Sequence, residues 1–247
     1  MKIIISDTKE ENGRIAAEMA IEILRKILSS KPKARFIAAT GVSQFEFLNY
    51  LCKTEEIDWS RTEMFHLDEY IGLSASHPAS FRKFLKERLV DKVHPSEVYF
   101  IKGDAPDPLA ECQRVGNLIS QEAIDVAFIG IGENGHIAFN DPPADFDTEE
   151  PFIIVNLDKK CQNQQIGEGW FSSMDEVPKQ AISMSVRQIL KSKIIICICP
   201  DKRKAEIVHN CLSINTGISP ECPASILKQH NNAYIFLDKE SASLLKY

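Results

Sequence analysis

A single-domain, Rossmann-like α/β fold is the architecture this sequence predicts: a mostly parallel sheet covered by helices on both faces. Three observations carry that expectation. Strand-sized apolar runs alternate with segments of helical period almost throughout the 247 residues. One of them, Lys193-Ile-Ile-Ile-Cys-Ile-Cys199, is apolar on successive residues, the pattern of a strand buried on both faces. Polar or Gly-rich stretches at 40–44, 68–70, 130–142 and 200–204 follow strand-like runs, so they fall at strand carboxyl ends, where such sheets hold ligands. No internal repeat and no linker interrupts the chain, and residues 1–247 are expected to form one domain.

The elements follow in order. Residues 2–6 form a short strand, and 13–30 carry Ala16, Ala20, Ile23, Leu24 and Ile27 at helical spacing. A strand at 35–39 turns through Thr40-Gly-Val-Ser-Gln44 into a helix with Phe45, Leu48 and Leu51. A strand at 63–67 ends on Asp68-Glu69-Tyr70, and a helix is expected over 78–90, with Pro78 in its first turn. Strand 98–101, helix 108–119 and strand 124–129 lead to a central loop. Residues 145–176 then turn acidic and polar, which predicts a lid-like excursion rather than a domain. Alternation resumes with strand 181–185, helix 186–191, strand 194–199, helix 203–211, a short helix from Cys222, strand 233–237 and a helical tail.

Composition excludes several classes of function. The chain is 44% hydrophobic and 26% charged with a net charge of −6, and no stretch concentrates Lys and Arg with aromatics. Nucleic acid and anionic membranes are therefore not expected partners. The apolar runs are too short to span a bilayer and the N-terminus lacks a signal-peptide layout, which predicts a cytoplasmic protein. The sequence leaves open a homo-oligomer. Seven cysteines without paired-ligand spacing are expected to be reduced and structural.

The chain is organised around Gly130-Ile-Gly-Glu-Asn-Gly-His-Ile-Ala-Phe-Asn-Asp-Pro142. Its glycines allow a tight turn and close approach to a ligand. Asn134, His136 and Asp141 bring an amide, a titratable imidazole and a carboxylate within eight residues, which suits proton transfer. The Gly-x-Gly-x-x-Gly spacing resembles a dinucleotide fingerprint, but that fingerprint needs a helix opening at its last glycine. Here Asn140-Asp-Pro-Pro143 follows instead.

Asp68 is either a helix cap or turn residue, or a carboxylate base facing the same crevice as His136. Thr40, Gly41 and Ser43 ahead of a helix suit a phosphate, and Lys204 is either a further charge for it or a surface lysine. Metal-ligand spacings are absent, and neither a metal nor another cofactor is expected. No Gly-x-Ser-x-Gly elbow occurs.

Together these residues resemble the glucosamine-6-phosphate deaminase/isomerase family. The resemblance rests on Leu67-Asp-Glu-Tyr-Ile-Gly-Leu73 with His77-Pro-Ala-Ser-Phe81, and on Gly130 to Pro142. It continues through Val177-Pro-Lys-Gln-Ala-Ile-Ser-Met184 and Lys204-Ala205 to Cys222-Pro-Ala-Ser225, covering most of the chain. It implies aldose–ketose isomerisation of an amino-hexose 6-phosphate with loss of ammonia. Asp68 would move the C2 proton, His136 would serve the ring oxygen with Asn134 and Asp141 in support, and Gly41, Ser43 and Lys204 would hold phosphate. Galactosamine 6-phosphate is an alternative substrate, a 6-phosphogluconolactonase-like hydrolase a weaker reading, and a non-catalytic sugar-phosphate sensor a third.

Three features depart from the family's pattern. Asp141 replaces its usual Glu. An Arg expected near Gln164 or Gln165 is missing, with Arg203 or Lys160 as possible replacements. The stretch 145–150 is acidic where allosteric members are basic, so no anionic activator is expected there.

Overall fold

The computed structural model describes residues 1–167 and 169–245, apart from the side chain of Lys160. The first part of the chain forms β1 (Lys2–Ser6), α1 (Lys9–Ser30), β2 (Ala34–Ala38), α2 (Phe45–Leu51), β3 (Thr62–His66) and β4 (Asp68–Tyr70). Next come α3 (Phe81–Leu85), a π-helical turn Lys86–Val90, α4 (Asp91–Val93), β5 (Glu97–Tyr99), α5 (Pro108–Ile119) and β6 (Val126–Ile129). The rest comprises β7 (Phe152–Asn156), α6 (Lys159–Gly167), β8 (Gln180–Met184), α7 (Val186–Leu190), β9 (Ile194–Ile198), α8 (Ala205–Leu212) and β10 (Ala233–Asp238).

Seven of these strands make one parallel sheet in the order β1-β10-β9-β6-β2-β3-β5. Strand direction alternates side chains between two apolar layers. Phe36, Ala38, Met64, Val126 and Phe128 face α1 and α2, whereas Ile37, Phe65, Ala127 and Ile129 face the layer containing α5, α7 and α8. Both faces are thus covered, which is why the central strands β6 and β9 are apolar on successive residues. The α1–α2 contact depends on Gly13, since a Cβ there would sit 2.5 Å from the Glu46 Cβ and 2.7 Å from the Phe47 amide. Among the described residues no helix is long and apolar enough to cross a membrane.

Three expectations need correction. Asp68–Tyr70 does not close the main sheet but pairs antiparallel with β8, which pairs in turn with β7, forming a second sheet of three strands. The stretch 145–176 contains β7, α6 and a 3₁₀ turn at Met174–Glu176. Its acidic residues are tied to α7, with Arg187 2.7 Å from Glu149 and Lys191 3.3 Å from it.

The helix expected from Pro78 starts at Phe81. Glu69 causes the shift. Its carboxylate accepts from Ser80 Oγ at 2.9 Å and from the amides of Phe81 at 3.2 Å and Arg82 at 2.9 Å, so the first-turn donors are satisfied by a side chain from β4. The helical tail is instead a turn after β10 through residue 244, with Asp238 accepting from the Ser241 amide at 2.7 Å. Residues 246 and 247 of that tail lie outside the described chain. All seven cysteines are unpaired, and Cys197 and Cys199 are buried as the strand pattern requires.

Candidate active site

The 130–142 loop leaves the end of β6 and stays non-helical. It closes on itself through Gly132 N–H to the His136 carbonyl at 2.9 Å and Gly135 N–H to the Gly132 carbonyl at 3.1 Å. No helix opens at Gly135, so the pyrophosphate-binding geometry of a dinucleotide site is not formed. The loop folds the imidazole back over Gly132, where a Cβ would lie 2.2 to 2.4 Å from Nε2, Cε1 and Cδ2 of His136. Only a residue without a side chain leaves space for that ring.

Behind the ring, His136 Nδ1 and Asp141 Oδ1 are 3.0 Å apart, and the same oxygen accepts from Asn134 Nδ2 at 2.9 Å. The second Asp141 oxygen accepts from the Asp158 amide at 3.0 Å. Asn134 Oδ1 in turn accepts from the His136 amide at 3.1 Å, and Asn134 Nδ2 donates to Asp158 at 3.2 Å. Burial alone would raise the Asp141 carboxyl, but the bonds from His136 and Asn134 outweigh it and hold the group below the usual carboxylate range. An ionised Asp141 keeps a proton on Nδ1 and leaves Nε2 as the free lone pair. The shorter acid therefore reaches the imidazole directly.

Asp68 and Glu69 are neighbours with opposite fates. Glu69 is fully buried and its lone pairs are taken by the α3 N-terminus and its own strand. Among the described residues Asp68 has no such partners, and it lines the cleft. Burial, followed by the Glu69 charge, pushes its carboxyl up to about 8. A carboxyl at that position exchanges a proton near neutral pH, as a carbon-acid base must.

The cleft itself brings together Thr40, Gly41, Ser43, Asp68, His136 and Lys204, six of the eight residues singled out in the sequence. Asn134 and Asp141 do not line it; they support the imidazole from behind. Lys204 is only 2% exposed, which removes the surface-lysine alternative. Among the described residues its ammonium makes no ion pair, so it is a buried cation turned to the cleft. Arg203 next to it does not line this cleft. It pairs with Glu133 and Asp201, each at 3.2 Å, while the Lys160 side chain lies outside the described residues.

Four cleft residues were not anticipated as site residues. Phe81 and Phe139 stack at 5.6 Å to give an apolar wall, and Gln44 and Gln165 add amides. Gln165 Oε1 is buried without a hydrogen-bond partner. Phe81 closes the His77–Phe81 stretch of the resemblance, Gln44 ends the 40–44 turn and Gln165 stands near the place of the missing Arg, but the sequence assigned none of them a role in the site. A further group assembles on the far side of the imidazole. One ligand atom each from His136, Asp141 and Cys161 of α6 all lie within 4.8 Å of one another. Spacing rules could not reveal it, because Cys161 arrives from a separate helix.

This combination of fold and cleft has clear relatives. Residues 7–236 match the family described as glucosamine-6-phosphate isomerases/6-phosphogluconolactonase, and the chain belongs to that family. It is 36% identical to the glucosamine-6-phosphate deaminase of Bacillus pumilus (strain SAFR-032), over 99% of this chain and 100% of that protein. It is 34% identical to glucosamine-6-phosphate deaminase 1 of Bacillus subtilis (strain 168), with 99% of both covered. The structure superimposes on that of a monomeric glucosamine-6-phosphate deaminase with a TM-score of 0.89, 33% identity and coverage of 99% and 100%. A 6-phosphogluconolactonase from Trypanosoma brucei shares the fold at a TM-score of 0.82 but only 17% identity, with 99% and 98% covered.

Proposed function

We propose that this chain is a glucosamine-6-phosphate deaminase, converting the amino-sugar phosphate and water to a ketohexose 6-phosphate and ammonia. The observation that carries this reading is that Asp68 and His136 line one cleft together with the buried Lys204 ammonium. A carboxylate for a carbon acid and a separate imidazole for an oxygen match the two proton transfers required. The similarity of the deaminases over the whole chain supports the same choice.

The roles follow from placement. The phosphate sits against Lys204, Ser43 and the Gly41 turn, and this remote binding positions the sugar. His136 Nε2 takes the anomeric hydroxyl proton and returns it to the ring oxygen, opening the ring to an aldehyde. Ionised Asp68 then removes the C2 proton as the aldehyde oxygen is protonated, giving an enolamine. Return of that proton to C1, with loss of an N–H proton, yields a C2 imine. Water adds to C2 and ammonia leaves. Asn134 and Asp141 keep Nδ1 protonated and the ring in place throughout.

Water solubility and a cytoplasmic setting accord with a phosphorylated substrate, which does not cross membranes freely. The test is ammonia and ketose 6-phosphate formation from glucosamine and galactosamine 6-phosphates, with Asp68→Asn as control. Turnover of the gluco epimer, lost in the control, is expected. Thermal stabilisation by both sugars without turnover of either would replace the enzyme with a sensor.

A further inference from the structure

We propose that His136, Asp141 and Cys161 form an inhibitory site for a thiophilic divalent cation, Zn²⁺ or Cd²⁺, behind the imidazole. Each offers one ligand atom, all within 4.8 Å, and the sulfur–nitrogen–oxygen donor set suits zinc or cadmium rather than magnesium or calcium. A tetrahedral site needs ligand atoms roughly 3.5 Å apart, so the three donors close in on the ion and water takes the fourth position.

The surroundings favour a cation. Asp158 stands over the trio, fixed by the Cys161 amide at 2.5 Å and by Asn134 Nδ2 at 3.2 Å. A surface pocket distinct from the substrate cleft reaches Asn134 and Asp158, and there Glu133, Asp158, Glu206 and Glu221 outnumber Lys159 and Arg203. The field of these carboxylates, next to Asn134 and Asp158 that bond the trio, favours a cation on this side of the imidazole.

Occupancy would change the imidazole chemically. Ligation by Cys161 is through the thiolate, so the metal displaces the thiol proton to solvent. For Nδ1 to become a ligand, its proton moves to Nε2. The balance is one metal ion bound, one proton released from sulfur and none lost from the ring. The Nε2 lone pair that faces the cleft is then gone, and Asp141 no longer accepts from Nδ1. The inhibition rests on the role proposed above for His136; the binding does not.

The test begins with Cd²⁺ added to the full-length chain, read by thiolate-to-metal absorption in the ultraviolet and by equilibrium dialysis. One ion per chain is expected, with affinity rising about tenfold per pH unit near neutrality, as release of one proton requires. Cys161→Ser should lose the absorption band and weaken binding at least tenfold. Its deaminase rate, relative to its own metal-free value, should tolerate at least tenfold more Zn²⁺.

X-ray absorption of the Zn²⁺-loaded wild type should show one sulfur among nitrogen and oxygen ligands, a readout independent of how the variant folds. Two sulfurs, which would point to Cys197/Cys199 or Cys211/Cys222, would overturn the site, as would an unchanged band in Cys161→Ser. Metal binding without any turnover would remove the deaminase reading and leave the site standing. Turnover without metal binding would do the reverse.

Discussion

Asp141 Oδ1 lies 3.0 Å from His136 Nδ1 and is shared with Asn134 Nδ2 at 2.9 Å, so one oxygen fixes both the tautomer and the tilt of the imidazole. An aspartate suffices because its other oxygen is anchored by the Asp158 amide at 3.0 Å. Asp141→Asn keeps the size but substitutes an amide for half of the acceptor. The expected result is a kcat lower by roughly 10- to 100-fold, the usual effect of losing an outer partner of a working histidine. KM should change little, because Asp141 does not line the cleft. An unchanged kcat would separate His136 from the reaction.

The raised Asp68 carboxyl makes a prediction about both rate and stability. Its folded value is about 8 against an ordinary 3.8, so between those pH values the folded protein holds a proton that the unfolded chain has lost. Stability must then fall as pH rises through that window. At about 1.4 kcal/mol per pKa unit the ceiling is roughly 6 kcal/mol, and contact with the open cleft reduces it to a few. Asp68→Asn should therefore melt roughly 5 to 10 °C above wild type near pH 8.5 and level with it near pH 4. In wild type, kcat/KM should climb about tenfold per pH unit below about 8. A flat profile would remove Asp68 as the base.

Lys204 should show a similar trade. A buried ammonium without an ion pair among the described residues is costly in the free protein and valuable once an anion arrives. Lys204→Met should raise the melting temperature while raising KM by roughly 10- to 100-fold, the range of a charge-assisted hydrogen bond. The salt dependence of kcat/KM should flatten as well. Equal KM values would place the phosphate elsewhere.

Closure of the 145–176 excursion can be followed through Trp170. Its ring packs edge-on against Phe84 at 6.2 Å, while Gln164 and Gln165 of the same excursion line the cleft. The other tryptophan, Trp59, is buried in the sheet layer, and a Trp59→Phe background isolates the signal. Saturating glucosamine 6-phosphate should shift Trp170 emission and slow proteolysis between 159 and 176. If neither changes, the excursion is a fixed wall.

What the sequence disclosed and what it hid divide along local and non-local contacts. The central strands of the parallel sheet, β6 and β9 above all, were legible because each carries its own burial in an apolar run. The 130–142 loop was legible because Asn134, His136 and Asp141 lie close together in the chain. The three-stranded sheet was not, since Asp68-Glu69-Tyr70 looks like a polar turn until β8 supplies its partners and α3 neutralises Glu69. The same limit applies to Lys204, whose burial is decided by the sheet edge around it. Cys161 gave no signal because α6 packs against the loop across sequence positions that no spacing rule connects, and Gln165 was marked only as the place of a missing Arg.

Gly132 gives the most local test of the site. Unlike Gly135, with its φ of +89°, it does not occupy the left-handed region, so its backbone can accept alanine without strain. The obstacle is the imidazole alone, since the added Cβ would lie 2.2 to 2.4 Å from three ring atoms. The ring must swing away, breaking the 3.0 Å contact between Nδ1 and Asp141 and moving Nε2 out of the cleft. A displacement of about 1 Å at a reacting group can cost roughly a hundredfold in rate. Gly132→Ala should therefore fold, with an unchanged circular dichroism spectrum, and still bind sugar phosphate at Lys204, yet lose kcat by about that factor. Wild-type turnover in Gly132→Ala would mean that the imidazole works from a different position than the one held over Gly132.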